Sequence, residues 1–341
     1  MREAGAVPAA GASPRDPGLP VLEVTGLSVG FADATGAVVP VTADVSFSVS
    51  AGQTLSLVGE SGCGKTVTAS AVMRLLPRPS GRILSGSVRL GGREIVDLPL
   101  PELYGLRGGQ MAMVFQEPMT SLNPVHTALD QVVEVLRLHR ADVPARERRA
   151  AAFKLLEEAE FPDPKRRAAS YPFQLSGGMR QRVMIAMALA GQPRLLIADE
   201  PTTALDVTVQ AQILALLKRI RAEHGMSVLY ITHDMAVVSE IADEVAVMYA
   251  GQVVETGPAS RLLAEPLHPY TRGLLACAPR LDSRPRARLE SIPGTVPAPA
   301  GYPAWCRFAD RCPLADAACR AAPVVLRPVR GRHVRCIKAG P

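Results

Sequence analysis

Residues 59–66 read Gly59-Glu60-Ser61-Gly62-Cys63-Gly64-Lys65-Thr66, and no other stretch of the chain says as much about its architecture. The run matches G-x-x-x-x-G-K-[ST], a loop whose backbone N–H groups cradle phosphate oxygens. We expect Lys65 to reach the β- and γ-phosphates of a nucleotide and the Thr66 hydroxyl to bind Mg²⁺. A chance glycine-rich turn is the alternative interpretation. Cys63 occupies a free position of the pattern and is expected to be a small inert filler.

Short β-branched runs alternate with longer helical patterns along most of the chain, which predicts an α/β fold with a mostly parallel sheet and helices on its faces. Buried strands are predicted at Thr54–Val58, Met111–Phe115, Leu195–Ala198 and Val228–Thr232, and a late hairpin at Val245–Met248 and Val253–Thr256. A helix is predicted over Val207–His224, where Gly225 stops it. Each of the four strands runs into a turn with polar residues, which is where α/β sheets place their ligands.

The chain divides into three predicted parts. Residues 1–20 are rich in Ala, Gly and Pro, lack the apolar core of a signal peptide, and are expected to be a disordered leader. A nucleotide-binding domain is predicted over 21–257, with a helical subdomain at about 117–192. There, helical patterns at Thr127–Arg140 and Ala145–Glu160 interrupt the strand rhythm. From 258 to 341 a Pro- and Arg-rich composition predicts a separate C-terminal extension.

An acidic pair follows the apolar strand that ends at Ala198. Asp199 suits a contact with Mg²⁺, and the adjacent Glu200 suits a general base that activates the attacking water. Two acids after a strand can also be a simple helix cap. The phosphate loop upstream favours the metal and base roles.

Three further side chains are predicted to lie near the nucleotide. Gln116 and His233 follow two of the predicted strands, so both are expected at the sheet edge that holds the phosphate loop. Gln116 can sense Mg²⁺ or the lytic water, and His233 can donate a hydrogen bond to the γ-phosphate. Phe31 is a candidate for stacking on adenine, with a position in the core as the alternative.

Ser176, Gly177 and Gly178 open a helical pattern that continues over Met179–Ala190. Two glycines and a hydroxyl at a helix N-terminus can hold an anion. Because the chain already has a phosphate loop, we expect this second site to serve a nucleotide held by another subunit.

Composition argues against several function classes. No apolar run approaches the ~20 residues of a membrane span, and the lack of a signal peptide favours a cytosolic protein. The net charge of +6 is uneven, since residues 278–341 hold twelve Lys or Arg against four Asp or Glu. A basic tail can bind nucleic acid or anionic lipid. It has few aromatic side chains to stack on bases, so no nucleic-acid partner is expected.

From about Val21 to its C-terminus the chain resembles the nucleotide-binding subunit of an ABC transporter. The resemblance rests on six ordered motifs: the Walker A loop at 59–66, the Gln116 loop, Leu175-Ser176-Gly177-Gly178, Asp199-Glu200, the D-loop Ala204-Leu205-Asp206, and His233. Within that family the chain is similar to the ATPases of oligopeptide and dipeptide importers, through FQEPMTSLNP at Phe115–Pro124, GMRQRVMIAMAL at Gly178–Leu189 and HPYTRGLL at His268–Leu275. One departure is Met179, which stands where the commonest family motif has Gln.

The resemblance implies an ABC-type P-loop ATPase with a mixed sheet, an inserted helical subdomain and a small Cys-containing extension. It implies a head-to-tail dimer with a second ABC ATPase subunit, expected to be a paralogue, in which Ser176, Gly177 and Gly178 close over the partner's ATP and Asp206 lies near it. It also implies two transmembrane permease subunits, an extracellular substrate-binding protein, and a peripheral position at the cytoplasmic face of the membrane. Oligopeptides or dipeptides are the expected substrates. A nickel or other small-solute importer, or a soluble ATPase acting on nucleic acid, is the alternative.

Four of the six cysteines lie in the extension, at Cys306, Cys312, Cys319 and Cys336. A reducing cytosol disfavours disulfides. A tetrahedral zinc site, a [4Fe–4S] cluster and inert thiols remain as alternatives. The resemblance to peptide-importer ATPases extends to Cys306-Arg307-Phe308 and Arg311-Cys312-Pro313, and it implies the cluster.

Overall fold

The computed structural model describes residues 19–203, 205–277 and 291–340. The predicted leader therefore lies almost wholly outside the described residues, and so does Ala204 of the D-loop. By its internal contacts the described chain divides into two units. The helical unit comprises Ser50–Gly52 and Asp97–Leu229 together with residues 19–21. The sheet unit comprises Leu22–Val49, Gln53–Val96 and the described residues from Tyr230 onward.

The elements follow one another as the alternating pattern predicts. The strands are β1 (Leu22–Ala32), β2 (Val38–Val49), β3 (Thr54–Val58), β4 (Gly81–Leu90), β5 (Arg93–Glu94), β6 (Met111–Val114), β7 (Leu195–Asp199), β8 (Ser227–Thr232), β9 (Glu244–Tyr249), β10 (Gln252–Pro258), β11 (Arg327–Val329) and β12 (Arg332–Val334). The α-helices are α1 (Lys65–Val72), α2 (Leu100–Leu106), α3 (Pro118–Ser121), α4 (Ala128–His139), α5 (Arg148–Glu158), α6 (Pro164–Arg167), α7 (Gly177–Ala190), α8 (Val207–His224), α9 (Met235–Ile241), α10 (Ala259–Ala264) and α11 (Pro269–Cys277).

The sheet unit contains two sets of paired strands. Four strands pair antiparallel in the order β2-β1-β4-β5, and five more follow the order β11-β12-β10-β9-β3. In the second set β3 and β9 are parallel, whereas β9 with β10, β10 with β12 and β11 with β12 are antiparallel. The sheet is therefore mixed. All five residues of β3 are buried, including the polar side chains of Thr54 and Ser56 that alternate with its apolar ones.

Helix α7 is the centre of the helical unit. Its buried residues lie on all its sides, and it packs on α3, α4, α5, α8 and β6. A helix that is apolar all round is stable only when other elements cover it. Strands β6 and β7 pair in parallel beside it, and β8 carries the chain on into the sheet unit. The predicted helical region is thus built around the helix that Ser176 opens.

Most predicted elements are confirmed, with small shifts at their ends. The helix at Val207–His224 has the predicted bounds, and Gly225 ends it with φ 60. The strand predicted over Met111–Phe115 stops one residue early, because Phe115 is 40% exposed and leads into the Gln116 loop. The helix predicted over Ala145–Glu160 covers only Arg148–Glu158, since Glu160 has φ 53 and cannot continue an α-helix.

The C-terminal extension is part of the sheet unit. Its hairpin β11–β12 joins β10, and a buried ion pair between Arg332 and Glu255 (3.3 Å) links the hairpin to that strand. Tyr249, Tyr270 and Phe308 form an aromatic cluster with ring centroids 4.7 to 5.4 Å apart. The extension therefore shares a core with the strands that precede it. The domain bounds 21–257, 117–192 and 258–341 do not coincide with the edges of the two units and stay predictions.

Candidate functional site

The phosphate loop joins β3 to α1 in the sheet unit, and two of its glycines are required by geometry. A Cβ atom on Gly59 would come within 2.1 Å of the carbonyl oxygen of Met248. Gly64 precedes α1 with φ 104, a left-handed conformation that glycine adopts without strain. Beyond these two, Ser61 and Gly62 are exposed at the outer side of the loop. The local fold is the one that the G-x-x-x-x-G-K-[ST] pattern predicts.

Lys65 is buried beneath this loop and only 4% exposed. Its Nζ donates to the carbonyl oxygens of Gly59 (2.8 Å) and Glu60 (3.1 Å). Neutral carbonyls are weaker partners for an ammonium than phosphate oxygens, so the two bonds can be exchanged for a bound triphosphate. The neighbouring Thr66 is exposed, whereas Cys63 is buried. Burial raises the pKa of the Cys63 thiol to about 11, so this thiol stays protonated at neutral pH.

Glu200 lies in the helical unit, directly after the buried Asp199 at the end of β7. Its Oε2 accepts hydrogen bonds from Gln116 Nε2 (3.5 Å) and Thr203 Oγ1 (3.0 Å). The backbone of Glu200 has φ 43, a conformation that is uncommon for residues other than glycine and that clusters at functional sites. The structure thus brings Gln116 and Glu200 together. It adds Thr203, which nothing in the sequence singled out.

The N-terminus of α7 is exposed at Ser176, whose Oγ accepts a hydrogen bond from the Met179 amide at 3.4 Å. The two glycines pack closely on their surroundings: a Cβ on Gly177 would lie 3.3 Å from Leu205, and one on Gly178 would lie 2.8 Å from Val209. The first turn of a helix carries N–H groups without intrahelical partners and the positive end of the helix dipole. Met179, which follows the two glycines, is buried.

The remaining predicted side chains lie at separate places in the two units. His233 is exposed after β8, one residue before Asp234, which caps α9. Asp206 is exposed in the helical unit, where its Oδ1 accepts from the Val209 amide (2.9 Å) and caps α8. Phe31 is half-buried near the end of β1, beside Gly81 of β4. Its contact with adenine stays a prediction.

Two residues of the extension contact the phosphate loop, and sequence reasoning missed both contacts. Arg311 donates from Nη1 and Nη2 to the Glu60 carboxylate oxygens at 2.7 and 3.0 Å. The Tyr270 hydroxyl accepts from the Glu60 backbone N–H at 2.9 Å. Both residues belong to stretches that carry the family resemblance. Glu60 and Arg311 are 251 positions apart, however, and a single sequence holds no signal that pairs them.

The four cysteines of the extension line one cavity: Cys306, Cys312, Cys319 and Cys336. All six cysteines of the chain are free thiols. Burial raises the pKa of the Cys306 and Cys312 thiols, and neighbouring thiols of the same set add to the increase. Among the described residues, no group of three or more His, Cys, Asp or Glu side chains is arranged to hold a metal ion.

Comparisons with known proteins extend over most of the chain. Residues 42–203 match the family model of the ABC transporter, and residues 254–319 match that of the oligopeptide/dipeptide transporter C-terminal region. A peptide import ATP-binding protein of Brucella melitensis is 50% identical over 317 residues, which cover 93% of this chain and 94% of that protein. A peptide import ATP-binding protein of Brucella ovis is 49% identical over 330 residues, which cover 94% of this chain and 97% of that protein. A dimeric ATP-binding cassette solved with ADP and Pi matches with a TM-score of 0.62 and 30% identity, over 70% of this chain and 98% of that chain.

Proposed function

Because this chain belongs to the ABC transporter family of ATP-binding subunits, we propose that it hydrolyses ATP to drive an importer of oligopeptides or dipeptides. One observation carries the proposal: the same chain holds a phosphate loop at 59–66 and an exposed, glycine-lined helix N-terminus at Ser176. Each can bind a phosphate group, so a chain with both is suited to share nucleotides with a second subunit. The names of the Brucella relatives and the match to the oligopeptide/dipeptide C-terminal region support the substrate class.

For ATP binding, we assign the triphosphate to the phosphate loop. Lys65 exchanges its two carbonyl partners for oxygens of the β- and γ-phosphates. The Thr66 hydroxyl and the Asp199 carboxylate are hard oxygen donors of the kind that Mg²⁺ prefers, and we assign the metal to them, with Gln116 as a further ligand. When bound there by Thr66, Asp199 and Gln116, Mg²⁺ would supply positive charge to offset the charge that develops on the transferred phosphoryl group.

For hydrolysis, we assign the role of general base to Glu200. The bonds from Gln116 and Thr203 hold its carboxylate in one orientation, which fixes the direction from which it takes a proton. The attacking water gives that proton to Glu200 as its oxygen bonds to the γ-phosphorus and the bond to the ADP oxygen breaks. His233 donates a hydrogen bond to the γ-phosphate.

A second ATPase subunit completes each site in this account. The N-terminus of α7, with Ser176, Gly177 and Gly178, contacts the γ-phosphate of ATP held on the partner, and Asp206 lies beside that contact. The solved cassette that this chain resembles is dimeric, which supports pairing of the subunits. We propose a paralogue as the partner in a head-to-tail heterodimer.

Membrane permease subunits are the other partners that family membership implies. Among the residues that the structure describes, none of the helices combines the length and the hydrophobicity of a membrane span. The segment after Gln116 exposes large apolar side chains, with Met119 at 54% and Val125 at 74%. Exposed apolar side chains of this kind mark interaction surfaces. We propose that this segment docks on two permease chains at the cytoplasmic face of the membrane, and that an extracellular binding protein delivers the peptide.

For the four cysteines of the extension, we propose a [4Fe–4S] cluster held by Cys306, Cys312, Cys319 and Cys336. They line one cavity but form no site for a single ion. A cluster of four irons and four sulfides takes four cysteine ligands. The resemblance to peptide-importer ATPases at Cys306-Arg307-Phe308 and Arg311-Cys312-Pro313 is what supports the cluster over zinc. Anaerobically purified protein is expected to absorb near ~400 nm and to contain iron. Colourless protein with zinc, or without metal, would contradict the assignment.

The direct test of function is peptide uptake by cells in which the chromosomal gene carries Glu200→Gln. Uptake of radiolabelled tri-alanine is expected to fall at least about tenfold, since a lost general base costs on the order of 10²-fold or more in hydrolysis. Uptake of free alanine serves as the control and is expected to stay unchanged. Unchanged peptide uptake together with a loss of radiolabelled nickel uptake would reject the peptide assignment in favour of a nickel importer.

The described part of the basic extension does not favour the nucleic-acid alternative. Six basic side chains of the described extension form ion pairs with carboxylates: Arg311, Arg320, Arg330, Arg332, Arg335 and Lys338. Their charge is therefore compensated within the fold, and a surface for phosphate backbones requires uncompensated charge. In the peptide-importer proposal these six basic side chains stabilise the fold of the extension through their ion pairs.

A further inference from the structure

The backbone N–H, the carbonyl oxygen and the carboxylate of Glu60 all form hydrogen bonds with other residues. Its backbone N–H donates to the Tyr270 hydroxyl at 2.9 Å. Its carbonyl oxygen accepts from Lys65 Nζ (3.1 Å) and from the Cys63 amide (3.3 Å). Its carboxylate accepts two bonds from Arg311. Glu60 occupies a position of the phosphate-loop pattern that accepts any residue. Here it is held in place by Tyr270 and Arg311 of the C-terminal extension and by Lys65 of the loop.

The groups that hold Glu60 are themselves rigidly placed. The Arg311 side chain is 6% exposed, and its remaining donors reach the carbonyl oxygens of Pro293 (2.7 Å) and Ile292 (3.3 Å). Tyr270 is fully buried, and its amide donates to Nδ1 of His268 at 3.1 Å. Burial lowers the pKa of His268 to about 3, so the ring is neutral at physiological pH and Nδ1 can accept. The contact points on Glu60 therefore cannot shift without moving the core of the extension.

We propose that Arg311 is a positioning residue for ATP, which acts by neutralising and orienting Glu60 so that the phosphate loop stays receptive to the triphosphate. The inference rests on the proposed function, since it assigns a role at the same ATP site. It gives the C-terminal extension a task in nucleotide binding.

The electrostatic reason is the sign of the charge at position 60. A carboxylate in a loop that binds a polyanion opposes the ligand unless a cation compensates it. A bidentate guanidinium compensates the charge and also fixes the carboxylate plane, which a lysine ammonium cannot do. With Arg311 removed, Glu60 is left as an uncompensated anion beside Lys65. It can then compete with the phosphates for that ammonium.

The test is the ATP dissociation constant of the full-length chain, measured by calorimetry in the Glu200→Gln background so that ATP is not consumed. Arg311→Gln is expected to weaken ATP binding about tenfold, a size typical of coupled charge pairs. Adding Glu60→Gln to Arg311→Gln removes the uncompensated carboxylate and is expected to restore affinity to within about threefold of the parent. Arg311→Lys keeps the positive charge but cannot donate two parallel hydrogen bonds to the carboxylate. Its ATP affinity is expected to lie between that of the parent and that of Arg311→Gln. In the background with native Glu200, Arg311→Gln is expected to raise KM for ATP by a similar factor with kcat nearly unchanged.

Arg330→Gln is the matched control, because Arg330 pairs with Glu265 on an exposed part of the same extension (2.9 Å). Its ATP affinity is expected to equal that of the parent. The inference would be overturned if Arg311→Gln bound ATP as tightly as the parent. It would also be overturned if the double variant bound ATP as weakly as Arg311→Gln alone, since the loss of a purely structural arginine is not rescued by removing the charge of Glu60. A parent chain that binds no ATP at all would instead overturn the proposed function. If Arg311→Gln does not fold, the comparison of Arg311→Lys with and without Glu60→Gln decides.

Discussion

Glu200→Gln is expected to lower the rate of ATP hydrolysis by about 10²-fold or more while ATP binding stays intact. Glutamine matches glutamate in size and can keep a hydrogen bond to Thr203 or Gln116, but it cannot take a proton from water. The conformation of the residue, with φ 43 after the buried Asp199, is expected to persist in the variant because neighbouring residues impose it. The loss should therefore appear in kcat, measured as phosphate release at saturating ATP.

Glu157→Gln is the control for this variant. Glu157 is exposed on α5 and has no assigned role, so its substitution is expected to leave hydrolysis unchanged. Hydrolysis by Glu200→Gln within a few-fold of the parent would remove Glu200 from the role of base. A variant that also failed to bind ATP would show that Glu200 supports the fold of the site.

Ser176→Asp is expected to abolish hydrolysis at the partner's site, by about 10²-fold or more, with ATP affinity of the isolated chain unchanged. Aspartate caps a helix as well as serine does, so α7 keeps its N-terminal hydrogen bond. The new negative charge lies where the account places a γ-phosphate. Two like charges about 4 Å apart repel by ~4 kcal/mol at an effective dielectric constant of about 20. The effect comes from charge and leaves the helix intact.

Ser176→Asn is the matched variant, since asparagine caps helices equally well and carries no charge. Its hydrolysis is expected to fall only a few-fold. Both rates are measured as phosphate release, with nucleotide affinity of the isolated chain determined beside them. If the two variants hydrolyse ATP equally well, no phosphate approaches this helix N-terminus. If Ser176→Asp weakens ATP binding to the isolated chain, the helix serves its own chain's nucleotide.

Local features of the fold could be predicted from the sequence because each depends on residues close in the chain. The phosphate loop follows from the spacing of Gly59, Gly64 and Lys65, and α8 follows from its apolar spacing and from Gly225, which ends it. The candidate base and its strand follow from an apolar run that ends in two acids. In each case the signal and its structural consequence lie within one element and its flanking turns.

Contacts between distant parts of the chain could not be predicted in the same way. The pairing of Arg311 with Glu60 and of Arg335 with Asp44 depends on how the extension folds onto the β-strands, and 251 and 291 residues separate the partners. The net charge of the tail allows an exposed basic surface, whereas five of the seven arginines that the structure describes between 291 and 340 form ion pairs with carboxylates. The extension adds the hairpin β11–β12 to β10 through backbone hydrogen bonds that composition does not reveal.

If ATP is held between two chains, the molar mass of the Glu200→Gln chain must change when ATP is added. A single chain has a mass of 36.2 kDa. Light scattering is expected to show a doubled mass when ATP is added, either for the chain alone or for the chain with its paired ATPase subunit. Adding Ser176→Asp is expected to abolish the doubling. A chain that binds ATP and stays single in both settings would contradict the claim, and so would pairing that persists with Ser176→Asp.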